Sequence, residues 1–249
     1  MSIVYPEKNI CIIIIAYNAE KTIELLINDI PKDFVDSIIV GDDASTDNTL
    51  KILGKFKDIK INKSKTNKGM GGNLKACFDI ALVNNPDIII QLHGDNQYDA
   101  KKVPNIIKKI LIDDYDLILG SRILGGESLS GGMPKYKYLG NHLLNFIQNL
   151  FYGLNLSDYA TGYKAYKAKS LWLLPYKHNR DDFIFDEQIN TQFVFFGFKI
   201  SQIGIPTRYF KEASSVGLKT SIHYGIWTLI TLFQFLCARM KIFNPKFLS

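Results

Sequence analysis

The stretch ICIIIIAYNAE, Ile10 to Glu20, reads as a buried strand that empties into a polar loop. Its first seven residues are all apolar, so no face is left for water, as in a parallel strand covered on both sides. Helical spacing follows from Ala19 to Ile30. Working outward, the unit repeats. Ser37 to Val40 reads as a strand before a helical segment from Asn48 to Phe56, and Ile59 to Asn62 reads as the next strand. Gly69, Gly71 and Gly72 open a helix that runs to Val83. Asp87 to Leu92 and Asp116 to Gly120 continue the series, with a helix from Val103 to Ile112 between them. Strict alternation predicts an α/β fold with a mainly parallel central sheet and helices on both faces.

After Gly120 the rhythm changes. Gly125, Gly126, Gly131 and Gly132 mark the place for a substrate loop, ahead of a helical pattern from Tyr138 to Tyr152 and a late strand from Lys199 to Ile203. A chain of 249 residues amounts to roughly 1.7 typical domains. The reading divides it into one domain over residues 1–215 and a C-terminal helical appendage over 216–249.

Composition narrows the function classes. Hydrophobic residues at 47% and charged ones at 22% exclude wholesale disorder. The formal charge of +6 favours anionic partners. No basic stripe interleaves with aromatics, so nucleic acid is not an expected partner. Cys11, Cys77 and Cys237 lie far apart, which excludes a zinc site or disulfide framework and points to core thiols in a reducing compartment. The first apolar run follows Glu7 and Lys8 and has no small-residue cleavage site after it, so a cytoplasmic protein is expected.

In open α/β sheets, ligands bind beyond the carboxyl ends of the strands. Three polar clusters stand there: Ala16-Tyr17-Asn18, then Asp42-Asp43 with Asp47, and His93-Gly94-Asp95-Asn96-Gln97. The acidic pair can accept the N–H of a nucleobase or ribose hydroxyls, with Asp43 the ligand. Asp47 or Asn48 can cap the next helix. Asp95 is placed to hold a divalent cation against a diphosphate, because hard cations take oxygen ligands and keep substrate phosphates in their shell. Arg122, after Gly120-Ser121, can pair bidentately with a phosphate or with a carboxylate of the site.

With IIIIAYNAEKTI, GDDASTDNT, GMGGN, HGDNQYD, GSR, SDYATGYKAY and FIFDEQI in this order, the chain resembles a family 2 glycosyltransferase of the GT-A fold, in the dolichyl-phosphate mannose or glucose synthase-like branch. The likeness extends to about Ser215. It implies transfer of a sugar from a nucleotide-diphosphate sugar to a lipid-phosphate or glycan acceptor, inverting and metal-assisted, with Mg²⁺ or Mn²⁺. It also implies that Ala16, Tyr17, Asn18, Asp42, Asp43, Gly69, Gly94 and Arg122 bind the donor, with Arg122 toward the phosphates. Asp95 and Gln97 would hold the metal. The family's D-x-D has an acid where His93 stands, so either His93 joins the metal, which would favour Mn²⁺ over Mg²⁺, or Asp95 and the diphosphate anchor it alone.

By the same likeness Asp186 and Asp95 are the catalytic pair. Asp186 would be a general base toward a hydroxyl acceptor and a positioning group toward a phosphate, which is already an anion. Asp158, Tyr163 and Arg208 would line the acceptor side. Asp181, Asp182 and Glu187 read as a solvated helix start. A dinucleotide-binding fold is excluded because G-x-G-x-x-G is missing after the first strand. A catalytically silent nucleotide-sugar-binding scaffold is the rival that His93 suggests.

Thr220 to Ala238 carries no formal charge over nineteen residues, close to the ~20 that cross a bilayer. As a helix it places Ser221, Tyr224, Thr228, Thr231, Gln234 and Ala238 on one stripe, and Ile222, Ile226, Leu229, Ile230, Phe233 and Leu236 on a broad apolar remainder. The stripe favours a helix lying at a membrane surface or against another copy of the chain over one that spans and over one packed in the chain's own core. Arg239, Lys241, Phe243, Lys246 and Phe247 extend it as an interfacial tail, so a peripheral location on the inner face of a membrane is expected.

Overall fold

The computed structural model describes residues 8–126, 128, 129, 132–207 and 217–249. In chain order its main elements are β1 (Ile10–Ala16), α1 (Ile23–Asp29), β2 (Ser37–Asp42), α2 (Thr49–Leu53), β3 (Ile59–Lys63), α3 (Gly69–Val83), β4 (Ile88–His93) and α4 (Val103–Asp113). There follow β5 (Leu117–Ser121), α5 (Lys135–Tyr152), β6 (Lys164–Lys167), α6 (Ala168–Trp172), α7 (Phe185–Phe195), β7 (Ile200–Gly204) and α8 (Leu218–Arg239).

Successive side chains of a strand point to opposite faces, and the core divides accordingly. Ile12 and Ile14 of β1 pack with Leu26 of α1, Leu53 of α2 and Ile106 of α4. Ile13 and Ile15 pack on the other face with Phe78 of α3 and Phe185 and Ile189 of α7. Helices thus cover both faces, as the apolar strands require. The three cysteines are free and buried.

The sheet has the order β3-β2-β1-β4-β6-β5-β7. β6 runs antiparallel to both β4 and β5, and the other pairings are parallel. The sequence hides β6 because its four residues, KAYK, begin and end in lysine. The inversion brings the amino end of β6, and the loop that feeds it, to the edge where β4 and β5 end: Lys164 pairs with Gln91 and Leu119.

Helix α8 is long and apolar enough to cross a membrane, yet its polar stripe faces the protein. Thr228 and Thr231 are fully buried, whereas Ile226 is 54% and Phe233 62% exposed. This reverses the expectation that the stripe would meet headgroups or another copy. The cause lies underneath: α8 packs on α5 and α7, whose buried Gln148, Tyr152 and Glu187 form a polar seam that an apolar face could not cover without stranding it. Phe247 also departs from the reading. It is buried, and its carbonyl accepts from Gln192 Nε2 at 2.6 Å.

Candidate active site

The loops after β1, β2 and β4 each hold one non-glycine residue in the left-handed region: Asn18 (φ 50°), Ala44 (φ 62°) and Asn96 (φ 53°). For Ala44 that conformation costs about 1–2 kcal/mol. It is held by a zipper between loops, in which Asn18 N–H donates to Ser45 Oγ (2.9 Å) and Thr46 N–H to Asn18 Oδ1 (2.8 Å). Asp47 fastens the same turn, with Oδ1 accepting the Thr49 N–H at 3.0 Å and Oδ2 the Glu20 N–H at 3.0 Å.

A cavity of about 370 Å³ opens between these loops. Ala16, Tyr17, Asn18, Asp43, Gly69, Gly94, His93 and Asp95 all line it. Asp43 is buried, and its two oxygens accept the backbone N–H groups of Lys68 (2.8 Å) and Gly69 (2.9 Å). Gly69 supplies that bond from φ +81°, a geometry that suits glycine. A carboxylate has about four acceptor positions, so Asp43 retains capacity toward a ligand in the cavity. Asp42 lies deeper, fully buried. Its Oδ2 accepts from Ser45 N–H at 3.2 Å, while Oδ1 has no partner among the described residues.

A second cavity, about 270 Å³, lies across β4. It shares Met70, His93 and Asp95 with the first and adds Gln97, Arg122, Lys137, Asp186 and Tyr224. Asp95 and Gln97 are buried at the junction, and Gln97 N–H donates to Asp95 Oδ1 at 3.1 Å. Among the described residues no group of three His, Cys, Asp or Glu side chains could cage a metal. One carboxylate, a neighbouring amide and substrate phosphates suit Mg²⁺ or Mn²⁺, which keep waters and are seldom held by all-protein cages.

Arg122 is gripped by Asp158. Nε donates to Oδ2 at 2.7 Å, Nη2 to Oδ1 at 2.8 Å, and the Arg122 backbone N–H to Oδ2 at 3.0 Å. Asp158 is fully buried and lines neither cavity. Its place is beneath Arg122, orienting it. Tyr163 lies in the core against Tyr98, fully buried, where desolvation raises its pKa and its hydroxyl has no partner among the described residues. Arg208 falls outside the described residues.

Asp186 is held from below. Lys164 Nζ donates to Oδ1 at 2.7 Å and Gln91 Nε2 to the same oxygen at 3.3 Å. Lys164 is fully buried, and burial lowers its pKa although Asp186 opposes the shift. Next to it, Glu187 is not a solvated helix start. It is fully buried, accepting from Gln148 Nε2 (2.6 Å) and Tyr152 Oη (2.9 Å), and desolvation pushes its carboxyl up to about 7. Asp181 and Asp182 do sit at the surface, paired with Lys75 and Arg180.

Gln91, Lys137 and Lys164 were not picked out by sequence reasoning, and Tyr224 was named there for the polar stripe of α8 alone. Lys164 lies within SDYATGYKAY, so a lysine set between Tyr163 and the Ala165-Tyr166 pair was the available signal. Lys137, half-buried at the start of α5, is depressed by desolvation and by the neighbouring Arg122 guanidinium. Tyr224 comes from α8, so the C-terminal helix helps to wall the second cavity.

The model of the glycosyl transferase family 2 matches residues 11–174. An uncharacterized protein of Methanocaldococcus jannaschii is 30% identical over 229 residues, 90% of each chain. The UDP-N-acetylglucosamine–dolichyl-phosphate N-acetylglucosaminyltransferase of Methanococcus voltae is 31% identical over 189 residues, 68% of this chain and 73% of that one. Among solved structures, glucosyl-3-phosphoglycerate synthase from Mycobacterium tuberculosis, in complex with Mn²⁺, uridine diphosphate and phosphoglyceric acid, shares the fold. Its TM-score is 0.70 at 18% identity, over 92% of this chain and 78% of that chain.

Proposed function

The chain belongs to glycosyl transferase family 2, and from that premise we propose that it moves a sugar from a nucleotide-diphosphate sugar to a polyprenyl phosphate at a membrane surface. The observation that carries the reading is the pair of cavities joined at His93 and Asp95. One has the strand-end carboxylates and loop amides that suit a nucleoside. The other has two cations, Arg122 and Lys137, that suit an anionic acceptor. The relative from Methanococcus voltae, named for a dolichyl-phosphate acceptor, supports the same class.

Arg122, expected toward the donor phosphates, lines the second cavity and not the first. The acceptor phosphate sits against Arg122, whose orientation Asp158 fixes, and against Lys137. It needs no general base, being already an anion. One of its oxygens attacks the anomeric carbon from the face opposite the diphosphate. The bond from that carbon to the diphosphate oxygen breaks, and its electron pair leaves with the nucleoside diphosphate. Asp186, fixed through Oδ1 by Lys164, orients the sugar or acceptor at the junction. Asp95 and Gln97 would hold a divalent cation, which when bound neutralises charge on the departing diphosphate. Asp43 and Tyr17 receive the base and ribose.

The membrane reading rests on charge as well as on exposed apolar side chains. Residues 128–157 and 217–249 contain no Asp or Glu, and their six Lys and Arg equal the chain's whole formal excess of +6. On those same segments Leu139, Leu143, Phe146 and Leu150 of α5 are exposed beside Ile222, Ile226, Leu229 and Phe233 of α8. An apolar face edged by cations fits the surface of an anionic bilayer.

The test is transfer of radiolabel from a panel of UDP- and GDP-sugars into an organic-extractable polyprenyl-phosphate product. Asp95→Asn and Asp186→Asn should each abolish it. Transfer to a soluble glycan and never to lipid phosphate would overturn the acceptor assignment.

A further inference from the structure

Gln91 ties the two halves of the site together, and its amide has only one orientation that satisfies its neighbours. Asp186 Oδ1 already accepts from Lys164 Nζ at 2.7 Å, and it meets Gln91 as an acceptor again. Gln91 must therefore turn its nitrogen to that oxygen, at 3.3 Å. Tyr166 Oη fixes the same orientation by donating to Gln91 Oε1 at 2.6 Å. The second hydrogen of the amide nitrogen is then aimed at His93 Nε2, 3.4 Å away. A ring proton on Nε2 would collide with it. Nε2 is the acceptor and the ring proton sits on Nδ1.

The ring has little freedom to escape this arrangement. A Cβ on Gly162 would come 2.3 Å from His93 Cε1 and 2.4 Å from Nε2, so the imidazole lies directly on the Gly162 backbone. Tyr98 meets it edge-on, with ring centroids 6.0 Å apart. Among the described residues no group bonds Nδ1, and His93 lines both cavities.

We propose that His93 is a hydrogen-bond donor, through Nδ1–H, to the diphosphate of the bound donor and is not a ligand of the divalent cation. A metal needs an unprotonated ring nitrogen. Here Nε2 spends its lone pair on Gln91, and Nδ1 has none to give. The cation is left to Asp95, Gln97 and the diphosphate, and the histidine supplies a directed donor where an acid would repel a phosphate oxygen. This rests on the reading of the first cavity as a nucleotide-sugar site.

Two measurements test it. Long-range ¹H–¹⁵N spectra of the ¹⁵N-labelled wild-type chain, with the His93 ring assigned by its loss in His93→Gln, should show the Nδ1–H tautomer. An Nε2–H pattern overturns the proposal. Second, Mn²⁺ binding is followed by electron paramagnetic resonance with UDP or GDP present. His93→Ala should leave Mn²⁺ affinity within about threefold and weaken the diphosphate about tenfold, while Asp95→Asn should weaken Mn²⁺ tenfold or more. Equal Mn²⁺ losses in His93→Ala and Asp95→Asn overturn the proposal. If neither nucleotide binds the wild-type chain, the nucleotide-site reading fails instead, and the ring spectrum still decides the tautomer.

Discussion

Lys164 Nζ lies 2.7 Å from Asp186 Oδ1 and 3.1 Å from the Asp186 backbone carbonyl, with the lysine side chain wholly out of solvent and the aspartate nearly so. One buried lysine on β6 thus sets the direction of the carboxylate at the head of α7. Removing either partner leaves an uncompensated charge in the interior, which is why this pair makes the sharpest test of the site's construction.

Lys164→Met should cost about 3–5 kcal/mol of unfolding free energy and lower turnover about 100-fold as Asp186 loses its place. Urea denaturation and a transfer assay read the two effects. The double variant Lys164→Met/Asp186→Asn should recover most of the stability and none of the activity. A single variant as stable as the wild type would refute the pairing's importance.

Glu187 makes stability depend on pH. Its folded pKa, about 7, lies above the ordinary 4.5 because the side chain is desolvated. The folded chain therefore keeps a proton that the unfolded chain releases. The stabilisation is full below about 4.5 and is lost as pH rises through 7, a change of about 3 kcal/mol. Glu187→Gln, which can accept from Gln148 and donate to Tyr152, should flatten that dependence and be the more stable protein at pH 8. Urea midpoints at pH 5 and pH 8 for both chains give the answer.

Arg122→Lys keeps the charge but loses the planar fork that meets Asp158 at 2.7 and 2.8 Å. A lysine's single nitrogen cannot reproduce two parallel bonds from a planar fork. Turnover should fall about 100-fold, with KM for the lipid acceptor raised more than KM for the nucleotide sugar. An unchanged acceptor KM would count against placing Arg122 at the acceptor phosphate.

Ile226→Glu/Phe233→Glu changes two exposed positions on α8. Each site should shift stability by no more than about 0.5 kcal/mol. Co-sedimentation with vesicles containing anionic lipid should nonetheless fall at least tenfold, and wild-type binding should weaken as salt is raised. Vesicle binding equal to wild type would place the membrane contact elsewhere.

Much of this architecture was legible because strands buried on both faces cannot disguise themselves. ICIIIIA, IIVGD and the apolar run of β4 announce a parallel sheet, and polar clusters at their ends announce the first cavity. The parts that stayed hidden owe their places to partners distant in sequence. Lys164 reads as a surface residue until β6 is seen between β4 and β5. Glu187 reads as a helix-start charge until α5 supplies Gln148 and Tyr152. Asp158 and Tyr163 share a motif with Lys164, yet one lies under Arg122 and the other in the core, a distinction that depends on the turn before an inverted strand. The stripe of α8 was visible, but the direction it faces depends on a polar seam built from two other helices.

The inverted strand also sorts the chain by residue number. Every residue that lines the first cavity lies at or before Asp95, and beyond Tyr98 the second cavity draws only on residues from Arg122 onward. On the proposed reading of the two cavities, donor choice and acceptor choice belong to consecutive halves of the polypeptide, divided within α4. A chimera joined to a relative within α4 should inherit its nucleotide sugar from one parent and its acceptor from the other. Such a chimera must keep matched the pairing of β4 with β6 and, at the site, the contacts of Gln91 with Asp186 and Tyr166.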